Sequence, residues 1–256
     1  VLAFDDADED RPMALRVPYI ADESIERNAE VLLAQFAQSK GLPLRAPIPI
    51  EDIIEKHLKL TLGFGDLHSL LGVPRRRGNL VGVPLGRPDI FGAIWLETGE
   101  IVIDASLCPE ERPSIEGRYR FTLAHECGHW RLHRPLVQAH SRQCLSGDTQ
   151  RLVVCRSSQA KERVELQADL YASCLLMPRK LVMQAWRNEF GNDNPRVLHR
   201  NGGEIALCDI DLFLRPLAKQ FLVSPVAMRI RLEKLGLLYL EARQPTLHIE
   251  QFLRSP

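Results

Sequence analysis

His125 and His129 stand four residues apart, with Glu126 directly after the first, in the stretch Leu123-Ala124-His125-Glu126-Cys127-Gly128-His129-Trp130. On an α-helix the two imidazoles leave the same face one turn apart and can meet one zinc ion at about 2.0–2.1 Å. The unit is read on a helix. Glu126 then lies beside a metal-held water without being a ligand, the place of a general base in metal-assisted hydrolysis.

Two histidines do not complete such a site, because a catalytic zinc keeps three protein ligands and one open position. His133 shares the face of His125 and His129. Along a continuous helix it lies about 12 Å beyond His125, at about 1.5 Å per residue, so it is expected beside the ligands and not among them. The metzincin pattern places a glycine and a third histidine where this chain has Leu132 and Pro135, which excludes that class. The third ligand is expected in Glu162-Arg163-Val164-Glu165-Leu166-Gln167-Ala168-Asp169. Glu165 and Asp169 project from one helix face, so one carboxylate can bind zinc while the other accepts the spare N–H of a ligating histidine. Glu162 lies near that face too, and spacing alone does not choose between it and Glu165.

The rest of the chain supplies a scaffold of α+β character. Helices are expected over 24–38, where Ile25, Ala29, Leu32, Leu33 and Phe36 recur at helical intervals, and over 49–58. A strand follows at 60–64. Residues 91–104 read as a β-hairpin turning at Glu97-Thr98-Gly99-Glu100. A helix capped by Ser114 should run through the two histidines and stop at Pro135, with further helices over 157–176 and 180–190. From Ile205 onward the chain reads as helical. The expected organisation is an acidic, mobile lead-in at 1–22, a zincin-like domain at 23–200 with a small twisted sheet and an active-site helix, and a helix-turn-helix-like region at 201–256.

Charge and cysteine content narrow the function classes. Thirty-three basic and thirty-three acidic side chains cancel, so no global field draws the 256-residue chain to nucleic acid or an anionic membrane. The run Arg75-Arg76-Arg77 reads as a solvated loop. Six cysteines without a Cys-x-x-Cys pair read as reduced, and neither a membrane-length apolar run nor a signal-peptide pattern is present, so a cytoplasmic place is expected.

The blocks Arg118-Tyr119-Arg120-Phe121-Thr122-Leu123-Ala124-His125-Glu126-Cys127-Gly128-His129-Trp130 and Glu165-Leu166-Gln167-Ala168-Asp169-Leu170-Tyr171-Ala172-Ser173-Cys174-Leu175-Leu176-Met177-Pro178 resemble the ImmA/IrrE-type zinc metallopeptidases of bacteria and their phages. The resemblance extends more weakly over most of 45–240. It implies one Zn²⁺ per chain held by His125, His129 and Glu165, the last being the glutamate thirteen residues before Pro178. It also implies a protein substrate, a DNA-binding repressor or antitoxin-like regulator. The chain departs from the family in having Asp169 for asparagine, Tyr171 for phenylalanine and a longer connection at 134–161, which could cover the cleft.

The expected activity is zinc-dependent endopeptidase cleavage with Glu126 as base. His140, Tyr171 and Arg120 are the candidates for stabilising the oxyanion, and an extended substrate could add to a strand edge near the hairpin. The competing reading is a transcriptional or stress regulator with a structural or vestigial zinc site. It would contact DNA or a partner through the tail, where Ser224 and Pro225 open a basic helix carrying Arg229, Arg231 and Lys234. The intact Glu126 favours the first reading, and DNA contact is not favoured.

Overall fold

A computed structural model describes residues 18–72, 90–110, 113–143, 153–155, 163–200 and 207–242. Helix α1, Asp22–Lys40, forms on the predicted apolar stripe and buries Ile25, Ala29, Leu32, Leu33 and Phe36. Each such large side chain contributes about 1.5–3 kcal/mol relative to exposure. A short helical segment ending in the π turn Asp52–His57 buries Ile53 and Ile54 and leads into strand β1, Thr61–Gly65. The one-turn helix α2, Leu67–Leu70, is capped by Asp66, whose side chain accepts from the Ser69 amide.

The hairpin is where the sequence places it. Strands β2, Gly92–Trp95, and β3, Glu100–Asp104, pair antiparallel with Ala93 opposite Val102. Gly99 takes a positive φ of 77° in the turn, a conformation glycine adopts without steric cost. Strand β1 adds parallel to β3, with Leu62 opposite Ile101.

Beyond the sheet, the 3₁₀ turn Pro113–Ile115 opens α3, Glu116–Gly128. The residue before α3 is Ile115, with no side-chain cap, so Ser114 does not serve as the predicted cap. Nor does the helix stop at Pro135. A π turn, His129–His133, shifts the hydrogen-bond register, and α4, Arg134–Gln143, continues past the proline. Pro135 follows directly on the π turn, as the second residue of α4.

Part of the long connection joins the sheet. Strand β4, Val153–Cys155, pairs antiparallel with β2, giving the order β1-β3-β2-β4. Strand β2 is therefore hydrogen-bonded on both sides, and the edges of this sheet are β1 and β4.

Helices α5, Arg163–Leu176, and α6, Arg179–Phe190, follow, then β5, Arg196–Arg200. Helices α7, Leu207–Phe221, and α8, Pro225–Lys234, are joined by a short turn and pack on each other; α8 is capped by Ser224, as expected, with Pro225 as its first residue. The tail is not helical throughout: β6, Leu238–Ala242, pairs parallel with β5 in a second, two-stranded sheet. That pairing crosses the expected boundary at residue 200. One apolar core joins α1, the hairpin, α3, α5, α6, α7 and α8, and the fold is of mixed α+β class. Among the described residues, no helix is long and apolar enough to cross a membrane.

Candidate metal centre

Helices α3 and α5 pack against each other and carry the candidate ligands. A glycine in the histidine motif lets them approach: a Cβ at Gly128 would lie 3.1 Å from Tyr171 Cβ and 3.2 Å from the Ala168 backbone. This close crossing brings α5 within reach of His125 and His129. Their side chains are wholly buried, and Glu165 is 7% exposed.

The three candidate ligands converge. His125 Nε2 lies 2.9 Å from His129 Nε2 and 3.1 Å from Glu165 Oε2, and His129 Nε2 lies 3.6 Å from Glu165 Oε1. Ligand atoms about 2.0–2.1 Å from one tetrahedral ion stand about 3.3 Å from each other, so the observed separations bracket the spacing that zinc imposes. The protonation pattern agrees. His125 Nδ1 lies 2.9 Å from Asp169 Oδ1; the carboxylate accepts the Nδ1 proton and leaves the Nε2 lone pair aimed at Glu165. A lone pair and a carboxylate at this distance, away from water, call for a cation between them. Imidazole nitrogen and carboxylate oxygen are a donor set that suits zinc, and the residues fit the implied ion.

Glu126, the residue after His125 on α3, is wholly buried under the first residue of β2. A Cβ built on Gly92 would lie 2.6 Å from Glu126 Oε1 and 2.5 Å from Thr122 Cγ2. Gly92 is thus a site residue that the sequence reading left unassigned. The available signal was a glycine inside a strand, which marks a close approach of other atoms.

His133 stands outside the candidate ligand cluster. Its Nδ1 lies 3.0 Å from His129 Nδ1, and its Nε2 lies 3.0 Å from Gln167 Oε1, a contact the sequence reading also missed. Burial holds the His133 pKa below the ordinary imidazole value, and the Gln167 hydrogen bond offsets this only in part.

The oxyanion candidates fare differently. Arg120 is buried and donates to the Ile48 carbonyl, away from the ligands. The Tyr171 hydroxyl is buried near Cys127 and Arg131, on the side of the motif helix opposite His125 and His129; burial pushes its pKa up. The His140 side chain, Glu162 and Arg75-Arg76-Arg77 lie outside what is described. Cys108, Cys127 and Cys174 are free thiols, as expected, and none belongs to the cluster.

The basic residues assigned to DNA contact are engaged within the fold. Arg231 is 2% exposed and donates to the Met177 carbonyl, Cys174 and Glu26, so it cannot present a positive charge to a groove. Lys234 pairs with Asp22 at 2.6 Å, and Arg229 with Glu233 at 3.5 Å. Helix α8 spends its charge on holding α1 and α5, because the guanidinium needs partners once the helix packs.

A helix-borne His-Glu-x-x-His unit facing a carboxylate on a second helix defines a metallopeptidase-like class of site. Residues 111–233 match the model of the IrrE N-terminal-like domain family, Peptidase_M78. No curated protein sequence matches the chain. Among solved structures, a Mycobacterium tuberculosis transcriptional regulator aligns at 14% identity with a TM-score of 0.38, over 84% of this chain and 56% of that one. This chain thus spans little more than half the length of that regulator, and the likeness carries no argument.

Proposed function

We propose that the protein is a zinc-dependent endopeptidase that cleaves one or a few regulatory proteins, with a DNA-binding repressor or antitoxin-like protein as the substrate class. The observation that carries this reading is the convergence of His125 Nε2, His129 Nε2 and the Glu165 carboxylate beside a buried Glu126. A purely structural ion has no use for a base at its open side. His125, His129 and Glu165 would hold the zinc, which when bound supplies Lewis acidity and lowers the pKa of a water to about 7.

The chain's own residues do the rest. Asp169 fixes the His125 ring by accepting its Nδ1 proton. Glu126 takes a proton at a carboxylate oxygen as the peptide carbonyl is attacked and returns it to the leaving amine. Gly92 leaves the room in which that carboxylate sits. The packed α3–α5 pair buries the ligand side chains, which strengthens every charge interaction there.

The test compares three proteins loaded with zinc and incubated with DNA-binding repressors encoded beside the gene. Wild type is expected to bind one zinc per chain and to yield discrete fragments. Glu126→Gln should keep the zinc and the fold and lose cleavage, whereas Glu165→Ala should lose the metal as well. Fragments from the glutamine variant would remove Glu126 from the role of base.

A further inference from the structure

We propose that Gln167 is a positioning residue for the metal centre: acting through His133, it holds the His129 proton on Nδ1 and keeps the Nε2 lone pair turned toward His125 and Glu165. The inference deepens the reading of His125, His129 and Glu165 as ligands, and rests on it.

The chain of reasoning starts at a carbonyl. Gln167 Nε2 lies 2.9 Å from the Pro18 carbonyl oxygen, which can only accept, so the amide nitrogen must face it. The opposite amide orientation would set two oxygens against each other at that distance. With the nitrogen fixed, Gln167 Oε1 is the atom 3.0 Å from His133 Nε2, and it too can only accept. A neutral His133 therefore carries its proton on Nε2 and has a lone pair on Nδ1. That lone pair faces His129 Nδ1 at 3.0 Å, so His129 must donate from Nδ1. Its Nε2 is left as the acceptor, the state required of a ligand.

Each member is withdrawn from solvent: Gln167 is 5% exposed, His133 1% and His129 0%. Water cannot substitute for a missing partner, and every link has one donor and one acceptor. The two histidine ligands are thus supported differently. His125 leans on the Asp169 carboxylate, and His129 leans on a neutral relay that ends on the backbone entering α1. An amide at 167 supplies the acceptor without adding another negative charge beside Glu126, Glu165 and Asp169. The relay also explains why His133 belongs beside the ligands although it cannot reach the ion.

The decisive measurement is the nitrogen-15 spectrum of the histidine rings in metal-free protein at pH 8, paired with zinc affinity from competition with a chelator. Wild type is expected to show His129 protonated on Nδ1 and His133 on Nε2. Gln167→Met, similar in length and unable to accept strongly, should leave His129 as a mixture of tautomers. It should also weaken zinc binding by about 10–100-fold, the range found when a ligand's orienting partner is removed. Gln167→Glu keeps an acceptor for His133 but replaces the donor to the Pro18 carbonyl with a second oxygen, so it should restore the tautomer only in part and leave zinc affinity between those of wild type and Gln167→Met. Thermal unfolding checks that each variant folds.

A wild-type His129 protonated on Nε2 would overturn the proposal without any variant. So would a folded Gln167→Met protein with one tautomer and unchanged affinity. If instead wild type binds no zinc while the ring protons sit as described, the relay stands and the metal reading fails.

Discussion

Replacing Gly92 with alanine adds one methyl at the closest approach between the sheet and the motif helix. The new Cβ would lie 2.5 Å from Thr122 Cγ2 and 2.6 Å from Glu126 Oε1, where ordinary contact begins near 3.4 Å. One or both neighbours must retreat by about 0.8–0.9 Å, and a misplacement of about 1 Å in a reacting group can cost about 10²-fold in rate. Overpacking of this kind costs about 1–3 kcal/mol of stability, or about 2–4 °C in melting temperature per kcal/mol for a chain of this size. The ligand atoms are not touched, so zinc stoichiometry should stay at one per chain. The assay is kcat/KM for cleavage of the substrate, with zinc content and melting temperature measured on the same preparations. Adding Thr122→Ala removes one of the two clashes and leaves the other, so the double variant should regain stability without regaining activity. Full activity in a folded Gly92→Ala protein would refute the placement of Glu126 beneath this strand, and recovery of activity in the double variant would assign the effect to Thr122.

Removing the charge at Arg231 should be among the most destabilising single changes outside the metal centre. Arg231→Met leaves the half-buried Glu26 with the more exposed Arg179 as partner and removes the donor to the Met177 carbonyl, a loss of about 1–3 kcal/mol measurable by chemical denaturation; a loss below about 0.5 kcal/mol would discount the clamp. For Glu26, burial alone would raise the pKa, but hydrogen bonds and charges from Arg231 and Arg179 outweigh it and hold the carboxyl below its ordinary range. Its stabilisation is therefore full above the unfolded carboxyl pKa and is lost as pH falls through the lower folded value. Unfolding free energy measured from neutral pH into that acid range should fall in wild type and fall less in Arg231→Met. Burial pushes the Cys127 thiol up to about 12 and Cys174 up to about 11. Iodoacetamide at pH 8 should therefore modify the half-buried Cys108 before either, as read by peptide mass spectrometry.

The sequence alone determined the parts whose signal is local. Four-residue spacing put His125 and His129 on one helix face, and the alternation of apolar residues around Gly99 gave the hairpin its ends and its turn. The Glu165 and Asp169 pair was legible for the same reason, although its separation from Glu162 came from resemblance and not from periodicity. Tertiary structure decided whatever depends on one element meeting another. A π turn carries the helix past Pro135, because a shift in backbone register leaves no trace in side-chain spacing. The sense of Arg231 reversed, since a basic residue reads as a solvent-facing charge until its helix packs against Glu26. Gly92 and Gln167 gained their places at the site only when residues far away in the chain, Glu126 and Pro18, came within atomic contact. Local pattern encodes which face a side chain leaves from, while the neighbour it meets there is fixed by packing among segments that the pattern treats as independent.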